Sequence, residues 1–294
     1  MSAKVIHPIS LPAVQTSRKI EHTVRGMPTS DGAGVKLLRV LTQDLQRRLD
    51  PFLMLDEFRS DNPNDYIAGF PDHPHRGFET VTYLIKGRMA HRDNHGGEGL
   101  LETGAVQWMV AGKGIIHSEM PQQKEGRLQG FQLWLNLKST DKMCAPGYED
   151  IGEETLTHFQ TENGTTGTII AGQLGDLKGP VEKPNTEPLL LAISIPAGES
   201  AAIAIPSTHN AFAYIFEGNV EIEGNTAPLQ TMAILTNSTS ADGVRFENKG
   251  TEESKIYIAA GKPLNEPIAQ LGPFVMNTRA EIEEAVFDYR AGKF

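Results

Sequence analysis

The sequence predicts an all-β fold of two successive β-sandwiches or barrels, followed by one C-terminal α-helix. Short apolar stretches alternate with glycine-rich turns along the chain, and helical periodicity is almost absent before the tail. Many short strands separated by turns are typical of β-sandwiches and barrels. The second half of the chain repeats the texture of the first half, which indicates a second barrel of the same type.

Six strands are predicted in the first half, from alternating or continuous apolar stretches bounded by turn formers. They are residues 35–41, 51–58, 78–86, 89–92, 106–110 and 131–137. The last of these strands places Phe131, Leu133 and Leu135 on one face, because residues two apart in a strand point the same way. Residues 1–26 show little periodicity, and we expect them to be extended.

A polar, turn-rich stretch over residues 138–154 is predicted to be a linker. Beyond it, six further strands are predicted at residues 168–172, 189–195, 201–205, 211–216, 220–223 and 255–260. We therefore predict two domains, which comprise residues 1–145 and residues 146–294.

The tail carries the strongest helix signal. Thr278 is followed three residues later by Glu281, the pattern of a capping box. Ile282, Ala285, Val286 and Tyr289 then share one face before Gly292. We expect this amphipathic helix to cover the outside of a barrel.

Charge and composition narrow the possible functions. The chain has 27 Lys and Arg against 37 Asp and Glu, a net charge of −10, which argues against direct binding to nucleic acid. A single cysteine, Cys144, cannot form an intramolecular disulfide, as is usual in a reducing compartment. Residues 1–25 lack the apolar core of a signal peptide, and no stretch approaches the roughly 18 apolar residues of a membrane span. We expect a soluble cytoplasmic protein.

Two pairs of polar residues have the spacing of metal ligands on strands. His73 and His75 are two residues apart, and so are His117 and Glu119. On adjacent strands, each pair would point to one face, so that three imidazoles and one carboxylate converge. This ligand set suits Fe(II), Mn(II), Ni(II), Cu(II) or Zn(II), and without a thiolate it indicates a catalytic rather than a structural site.

Simpler interpretations exist for each of these histidines. The His73 and His75 pair can be surface residues of a loop, and His117 can be a hydrogen-bonded core histidine. Around them, we expect His91 and His95 to be solvated at a hairpin tip.

Other candidates are weaker. Glu79 fits a metal ligand or a cross-strand partner of Arg or Lys equally well. We assign nothing to His7, His22, His158 and His209, which lack ligand-like neighbours, and we interpret Cys144 as an inert thiol.

The segments around the ligand pairs resemble the two sequence motifs of the cupin superfamily. The first runs from Gly69 through the two histidines and Glu79 to Gly87. The second runs from Gly104 to His117, with Gly112 where many cupins carry proline.

More narrowly, the chain resembles the pirin family, from the first ligand pair to the C-terminal helix. Five stretches carry the resemblance: His73-Pro-His-Arg-Gly-Phe-Glu-Thr80, Gln107-Trp-Met109, Gly114-Ile-Ile-His-Ser-Glu-Met-Pro121, Gly130-Phe-Gln-Leu-Trp-Leu-Asn-Leu137 and Gly272-Pro-Phe-Val-Met-Asn277.

The resemblance implies a bicupin, two tandem cupin β-barrels with iron in the N-terminal one. It carries the family's ligand positions onto His73, His75, His117 and Glu119, and it leaves Glu79 outside the ligand set. The C-terminal barrel offers only His209 at the corresponding position and is expected to be metal-free. Fe(II) is the expected metal, with Mn, Ni, Cu and Zn as alternatives.

Two functions follow from the resemblance. The first is a quercetin 2,3-dioxygenase-like activity, in which a flavonol ring is opened by O₂ and carbon monoxide is released. Glu119 would accept the proton of the flavonol hydroxyl. The second is a redox-sensitive regulator that docks on a transcription factor or a metabolic enzyme. We favour the dioxygenase, whose partners are a small aromatic substrate and O₂.

Overall fold

A computed structural model describes residues 4–294, which contain short strands, four 3₁₀ turns and one α-helix. The strands up to residue 151 are β1 Ile6–Pro8, β2 Ile20–Arg25, β3 Met27–Asp31, β4 Val35–Leu41, β5 Phe52–Ser60, β6 Phe70–His75, β7 Phe78–Lys86, β8 Arg88–Asp93, β9 Glu98–Glu102, β10 Val106–Val110, β11 Ile115–Pro121, β12 Leu128–Asn136 and β13 Gly147–Ile151.

The elements beyond residue 151 are β14 Thr157–Gln160, β15 Thr166–Ala171, β16 Gln173–Leu174, β17 Leu177–Lys178, β18 Leu189–Ile195, β19 Ser200–Ala204, β20 Asn210–Glu217, β21 Val220–Ile222, β22 Asn225–Ala227, β23 Thr231–Leu235, β24 Gly243–Glu247, β25 Ser254–Gly261, β26 Ala269–Leu271, β27 Phe274–Met276 and α1 Arg279–Arg290. The 3₁₀ turns are Gln43–Leu45, Pro63–Asp65, Ser139–Asp141 and Glu153–Thr155. Within residues 4–294, no helix has the length and hydrophobicity needed to cross a lipid bilayer.

The chain forms two compact units, each built from several stretches of sequence. We call residues 27–47, 51–153 and 264–294 the N-terminal barrel, and residues up to 26, 48–50 and 154–263 the C-terminal barrel. The predicted boundary between residues 145 and 146 stays a prediction. The predicted linker is wrong in part, because β13 pairs with β10. Most of its residues are exposed, so the stretch lacks the apolar alternation that marks a strand.

Two sheets of the N-terminal barrel enclose a cavity, and a third consists of the β26–β27 pair. One sheet has seven strands in the order β13–β10–β7–β12–β5–β4–β3, and the other has four in the order β6–β11–β8–β9. Thr82 on β7 and Gln132 on β12 donate hydrogen bonds to Glu119 on β11, so the inner faces of the two sheets meet there. Buried apolar residues such as Leu84 and Leu128 fill one end of this interior.

The C-terminal barrel has an eight-stranded sheet, a four-stranded sheet and the two-stranded pair β16–β17. The eight strands follow the order β1–β14–β15–β18–β25–β20–β23–β2, so the extended arm supplies both edge strands. The predicted extended conformation of the arm is confirmed by strands β1 and β2. Residues 1–3 lie outside the described part of the chain. Aliphatic side chains such as Ile193, Ile203, Ile215 and Ile258 pack in the interior.

The all-β prediction is confirmed, together with its C-terminal helix. Four predicted strands, at residues 35–41, 78–86, 106–110 and 189–195, have the observed bounds, and the others differ by one to three residues at an end. Thr278 and Glu281 form the predicted capping box, and α1 buries Ile282 and Ala285. In the N-terminal barrel these two side chains pack with Phe274.

A buried lysine connects the backbone just after β6 to strand β27 near the C-terminus. Lys142 is 1% exposed. Its Nζ donates to the carbonyl oxygen of Gly77 at 2.7 Å, to that of Val275 at 3.0 Å, and to Asn136 Oδ1 at 2.6 Å. Gly77 lies two residues after His75, so this ammonium group fixes the backbone that follows strand β6.

Replacing this lysine should therefore destabilise the fold. In Lys142→Met, three buried acceptors lose the ammonium donor, and we expect the free energy of unfolding to fall by about 2–3 kcal/mol. The measurement is urea denaturation of the purified protein. Lys138→Met, at an exposed position nearby, is the matched control and should change stability by less than about 0.5 kcal/mol. Equal stabilities for the two variants would contradict the anchoring role of Lys142.

Candidate metal centre

Three histidines meet on the inner face of the four-stranded sheet. Strands β6 and β11 are antiparallel neighbours, and His73 lies directly opposite His117 in their register. His75 lies two residues further along β6, so its side chain points to the same face. One nitrogen from each imidazole lies within 4.8 Å of the others. The two-residue spacing and the strand register together bring the predicted histidines to one point.

The free nitrogens of these rings fit a metal ion. Both His75 and His117 are 3% exposed. Nδ1 and Nε2 of His75 and Nε2 of His117 have no hydrogen-bond partner within residues 4–294. His73 Nδ1 lies 2.8 Å from the carbonyl oxygen of Pro71, which leaves Nε2 as its ligand atom. Buried polar atoms usually have a partner, and a divalent metal bound by three imidazoles would supply it.

His75 and His117 are held in the neutral form that binds metals. Burial, and then the neighbouring His117 and His73, place the pKa of His75 well below its usual range. Burial, followed by His73 and His91, does the same for the pKa of His117. Because a protonated imidazole has no lone pair for a cation, this environment favours metal binding at neutral pH.

Glu119 is held at the wall of the same cavity by side chains of the opposite sheet. Its two carboxylate oxygens each lie 3.2 Å from Gln132 Nε2, and Thr82 Oγ1 donates to Oε1 at 3.3 Å. Trp134 Nε1 donates to Gln132 Oε1 at 3.2 Å, which fixes the amide with its NH₂ group toward the carboxylate. The converging group consists of the three histidines without Glu119. Its role as a fourth ligand remains a prediction.

The predictions for Glu79, His91 and His95 have different outcomes in the structure. Glu79 accepts a hydrogen bond from Trp108 Nε1 at 3.0 Å, in the interior of the barrel. His91 was predicted to be solvated, and this is wrong: it is 5% exposed, and its Nε2 lies 2.6 Å from Asp150 Oδ2. It lies opposite Glu119 in the register of β8 and β11, which turns it inward. The exposed position of His95 is confirmed.

A cavity of about 410 Å³ lies beside the histidines and is lined by both sheets. This volume is within the range of small-molecule sites. His73, His75 and Glu119 form part of one wall. The other wall has two apolar sections. One consists of Trp134 and Met54, which are paired across β12 and β5. The other consists of Phe58 and Leu37, which are paired across β5 and β4.

A polar row of side chains runs between these two apolar sections. Neighbours in the row lie opposite each other in the strand register: Thr82 on β7, Gln132 on β12, Asp56 on β5 and Arg39 on β4. This row is not among the functional residues predicted from the sequence. Its members are polar residues in predicted strands, which was the available signal, but their alignment depends on the register of four strands.

The strand that carries His75 is also fixed from outside the cavity. The next residue, Arg76, is 3% exposed. Its Nε donates to the carbonyl oxygen of Lys113 at 2.6 Å, and Nη1 lies 3.1 Å from Asp288 Oδ2. Its guanidinium stacks 4.4 Å from the centroid of the Phe294 ring. Arg76 thus joins the end of β6 to the loop before β11 and to the tail.

The low pKa values predict how stability of the metal-free protein depends on pH. Below about pH 6.5, histidines of the unfolded chain take up protons, whereas folded His75 and His117 resist protonation. The free energy of unfolding should therefore fall as the pH is lowered from 7 to 5, by up to about 1.4 kcal/mol per histidine and pH unit. Urea denaturation after metal removal measures this slope.

Variants assign the slope to the site. His117→Gln should reduce it, and His95→Gln, at an exposed position, should leave it unchanged. An unaltered slope in His117→Gln would show that other groups cause the pH dependence.

Comparison with known proteins identifies the family. The Pirin family model matches residues 34–135, and the Pirin C-terminal cupin domain matches residues 190–294. A Pseudomonas aeruginosa protein, provisionally named quercetin 2,3-dioxygenase, is 48% identical, over 91% of this chain and 94% of its own. The crystal structure of a quercetin 2,3-dioxygenase from Acinetobacter baumannii has a TM-score of 0.87 at 34% identity and covers 95% of this chain and 98% of its own.

A more distant structure shares the fold. A bacterial pirin from Escherichia coli, solved in complex with nickel(II), has a TM-score of 0.63 at 18% identity, with coverage of 82% of this chain and 99% of its own. The matched family models, the sequence relatives and the two barrels agree. The chain belongs to the pirin family of cupin proteins.

Proposed function

We propose that this protein is a metal-dependent dioxygenase that opens the ring of a flavonol such as quercetin. The observation that carries the proposal is the convergence of three histidines, of which His73 and His75 line a cavity of about 410 Å³. Ring nitrogens of His75 and His117 have no hydrogen-bond partner among the described residues. The names of the Pseudomonas and Acinetobacter relatives, whose chains are matched almost completely, support the same activity.

The donor set limits the choice of metal. Neutral imidazoles, with a carboxylate nearby and no thiolate, suit first-row divalent ions. We propose Fe(II) at His73, His75 and His117, with Glu119 as a fourth ligand, and Mn, Ni, Cu or Zn as alternatives. Such an ion would act as a Lewis acid that lowers the pKa of the flavonol 3-hydroxyl and favours reaction of its anion with O₂.

The protein's own residues perform the remaining tasks. Glu119 would accept the hydroxyl proton, because its carboxylate lines the cavity and is aimed there by Gln132 and Thr82. Trp134 and Met54 on one side and Phe58 on the other offer apolar surfaces to a planar ring system. These walls exclude water from the reacting ring and orient it against the histidines.

Removal of one histidine tests the metal site and the activity together. His117→Ala should lose most of its iron after anaerobic purification and lower the rate of quercetin loss by at least about 100-fold, because two imidazoles hold the ion weakly. Metal analysis and quercetin absorbance are the measurements, with His95→Ala as the matched control. Full turnover by the metal-free variant would contradict the proposal. Wild type that binds iron without turnover would favour the regulatory function.

A carboxamide substitution separates the two proposed roles of Glu119. If Glu119 is the general base, Glu119→Gln should keep its metal and lose turnover by about 10²–10⁴-fold. If it is mainly a ligand, metal content should fall in parallel with turnover. Glu125→Gln, at an exposed position, is the control. Unimpaired turnover with metal bound would rule out the base role.

A further inference from the structure

A second polar contact site lies in the cavity, away from the histidines. We propose that Arg39, together with Asp31 and Asp56, binds phenolic hydroxyl groups on the far ring of the substrate. The substrate class is then a planar aromatic molecule with a metal-binding oxygen at one end and free hydroxyls at the other. This inference rests on the proposed function and adds the second recognition element.

The position of the site follows from the strand register. Gln132, which holds Glu119, lies opposite Asp56, and Asp56 lies opposite Arg39. Arg39 is therefore two strands away from Gln132, about 10 Å along the sheet. That distance is comparable to the long axis of a flavonol. Asp31, Arg39 and Asp56 line the cavity together with His73 and His75, so one ligand can contact both ends.

The hydrogen-bonding capacity of the cluster suits hydroxyl groups. Arg39 Nε and Nη2 donate to the two oxygens of Asp56 at 2.9 and 2.7 Å, and Nη2 also donates to Asp31 Oδ2 at 2.9 Å. Nη1 makes no hydrogen bond within residues 4–294 and is available as a donor. The carboxylate oxygens keep further lone pairs. A vicinal pair of hydroxyls could donate to Asp31 and accept from Nη1.

The charge of the cluster favours a neutral ligand. One guanidinium faces two carboxylates, so the group carries one net negative charge with both acids ionised. Hydrogen bonds and attraction from Asp56 raise the pKa of Arg39, so its guanidinium stays charged. A ligand carboxylate would meet repulsion from Asp31 and Asp56. Uncharged phenols are therefore preferred over acidic conjugates of the same ring system.

The apolar surroundings strengthen these contacts. Asp56 is 4% exposed, and Phe58, Leu37 and Phe70 lie along the cavity next to the cluster. Hydrogen bonds to charged groups are stronger where water is excluded. Asp31 is more exposed, at 56% of its side chain. Asp31 can therefore be changed with little effect on the fold.

The test compares two ligands that differ only at the far ring. We would titrate 3-hydroxyflavone and 3,3′,4′-trihydroxyflavone into the metal-loaded protein, by anaerobic calorimetry so that no turnover occurs. Wild type should bind the trihydroxy compound at least about 10-fold more tightly, as expected for one hydrogen bond to a charged group. A 4′-carboxylate analogue of 3-hydroxyflavone should bind more weakly than 3-hydroxyflavone itself.

Asp31→Asn should reduce the preference for the trihydroxy compound to less than about 3-fold, with little change in affinity for 3-hydroxyflavone. Arg39→Lys should also reduce it, because lysine lacks the forked donors. Asp61→Asn is the matched control, because Asp61 is likewise an exposed carboxylate that pairs with an arginine, Arg127, and it does not line the cavity.

The outcomes separate this inference from the proposed function. The inference is overturned if wild type binds the two flavones equally well, or if Asp31→Asn keeps the preference for the trihydroxy compound. In either case, aerobic turnover of 3-hydroxyflavone would show that the dioxygenase proposal survives. If wild type neither binds nor converts either flavone, the proposed function fails and the inference fails with it. A preference lost in Asp31→Asn and retained in Asp61→Asn supports the assignment.

Discussion

The antiparallel pairing of β6 with β11 is the constraint on which the candidate metal centre depends. It places His73 opposite His117, and the two-residue period of β6 brings His75 to the same face. A slip of one residue would turn one strand's ligands to the other face of the sheet. The backbone around this pair is correspondingly well fixed, by Arg76 at the end of β6 and by Lys142 at Gly77.

Comparison of the two barrels shows how the candidate metal centre lowers the stability of the fold. In the C-terminal barrel, aliphatic side chains fill the interior, and His209 Nε2 lies 3.0 Å from the carbonyl oxygen of Glu187. In the N-terminal barrel, His75 and His117 bury ring nitrogens that have no partner among the described residues. Burying a polar atom without a hydrogen bond is unfavourable. The N-terminal barrel therefore gives up stability at a point where a bound ion would restore it.

The sequence predicts those features that depend on residues close together along the chain, such as strands, turns and helix caps. The twelve predicted strands match observed strands to within three residues at each end, and four residues from Thr278 are enough to predict the capping box. The convergence of the three histidines also follows from period-two spacing, once two strands are assumed to be neighbours. The burial of His91 was missed because a glycine-rich, polar neighbourhood hides its inward orientation. The strand β13 was missed because it is mostly exposed.

The side-chain contacts of Glu119 could not be predicted from the residues near it in the sequence. Gln132 and Thr82 belong to strands that are predicted correctly, but their side chains reach the carboxylate only because the two sheets face each other. In the same way, Arg39 and Asp56 become one site only through the pairing of β4 with β5. Such contacts require the register of several strands, which the periodicity of each strand does not determine.

One row of side chains connects these polar contacts. Gln132 binds the carboxylate beside the histidines, and the next members of the row, Asp56 and Arg39, lie progressively further from it. The rows on either side carry Trp134 and Phe58, so the polar groups form a narrow band between apolar surfaces. A flat molecule with oxygens along its length satisfies both kinds of surface only when its long axis follows the band. Under the proposed function, the register of the sheet also sets the orientation of the flavonol in the cavity.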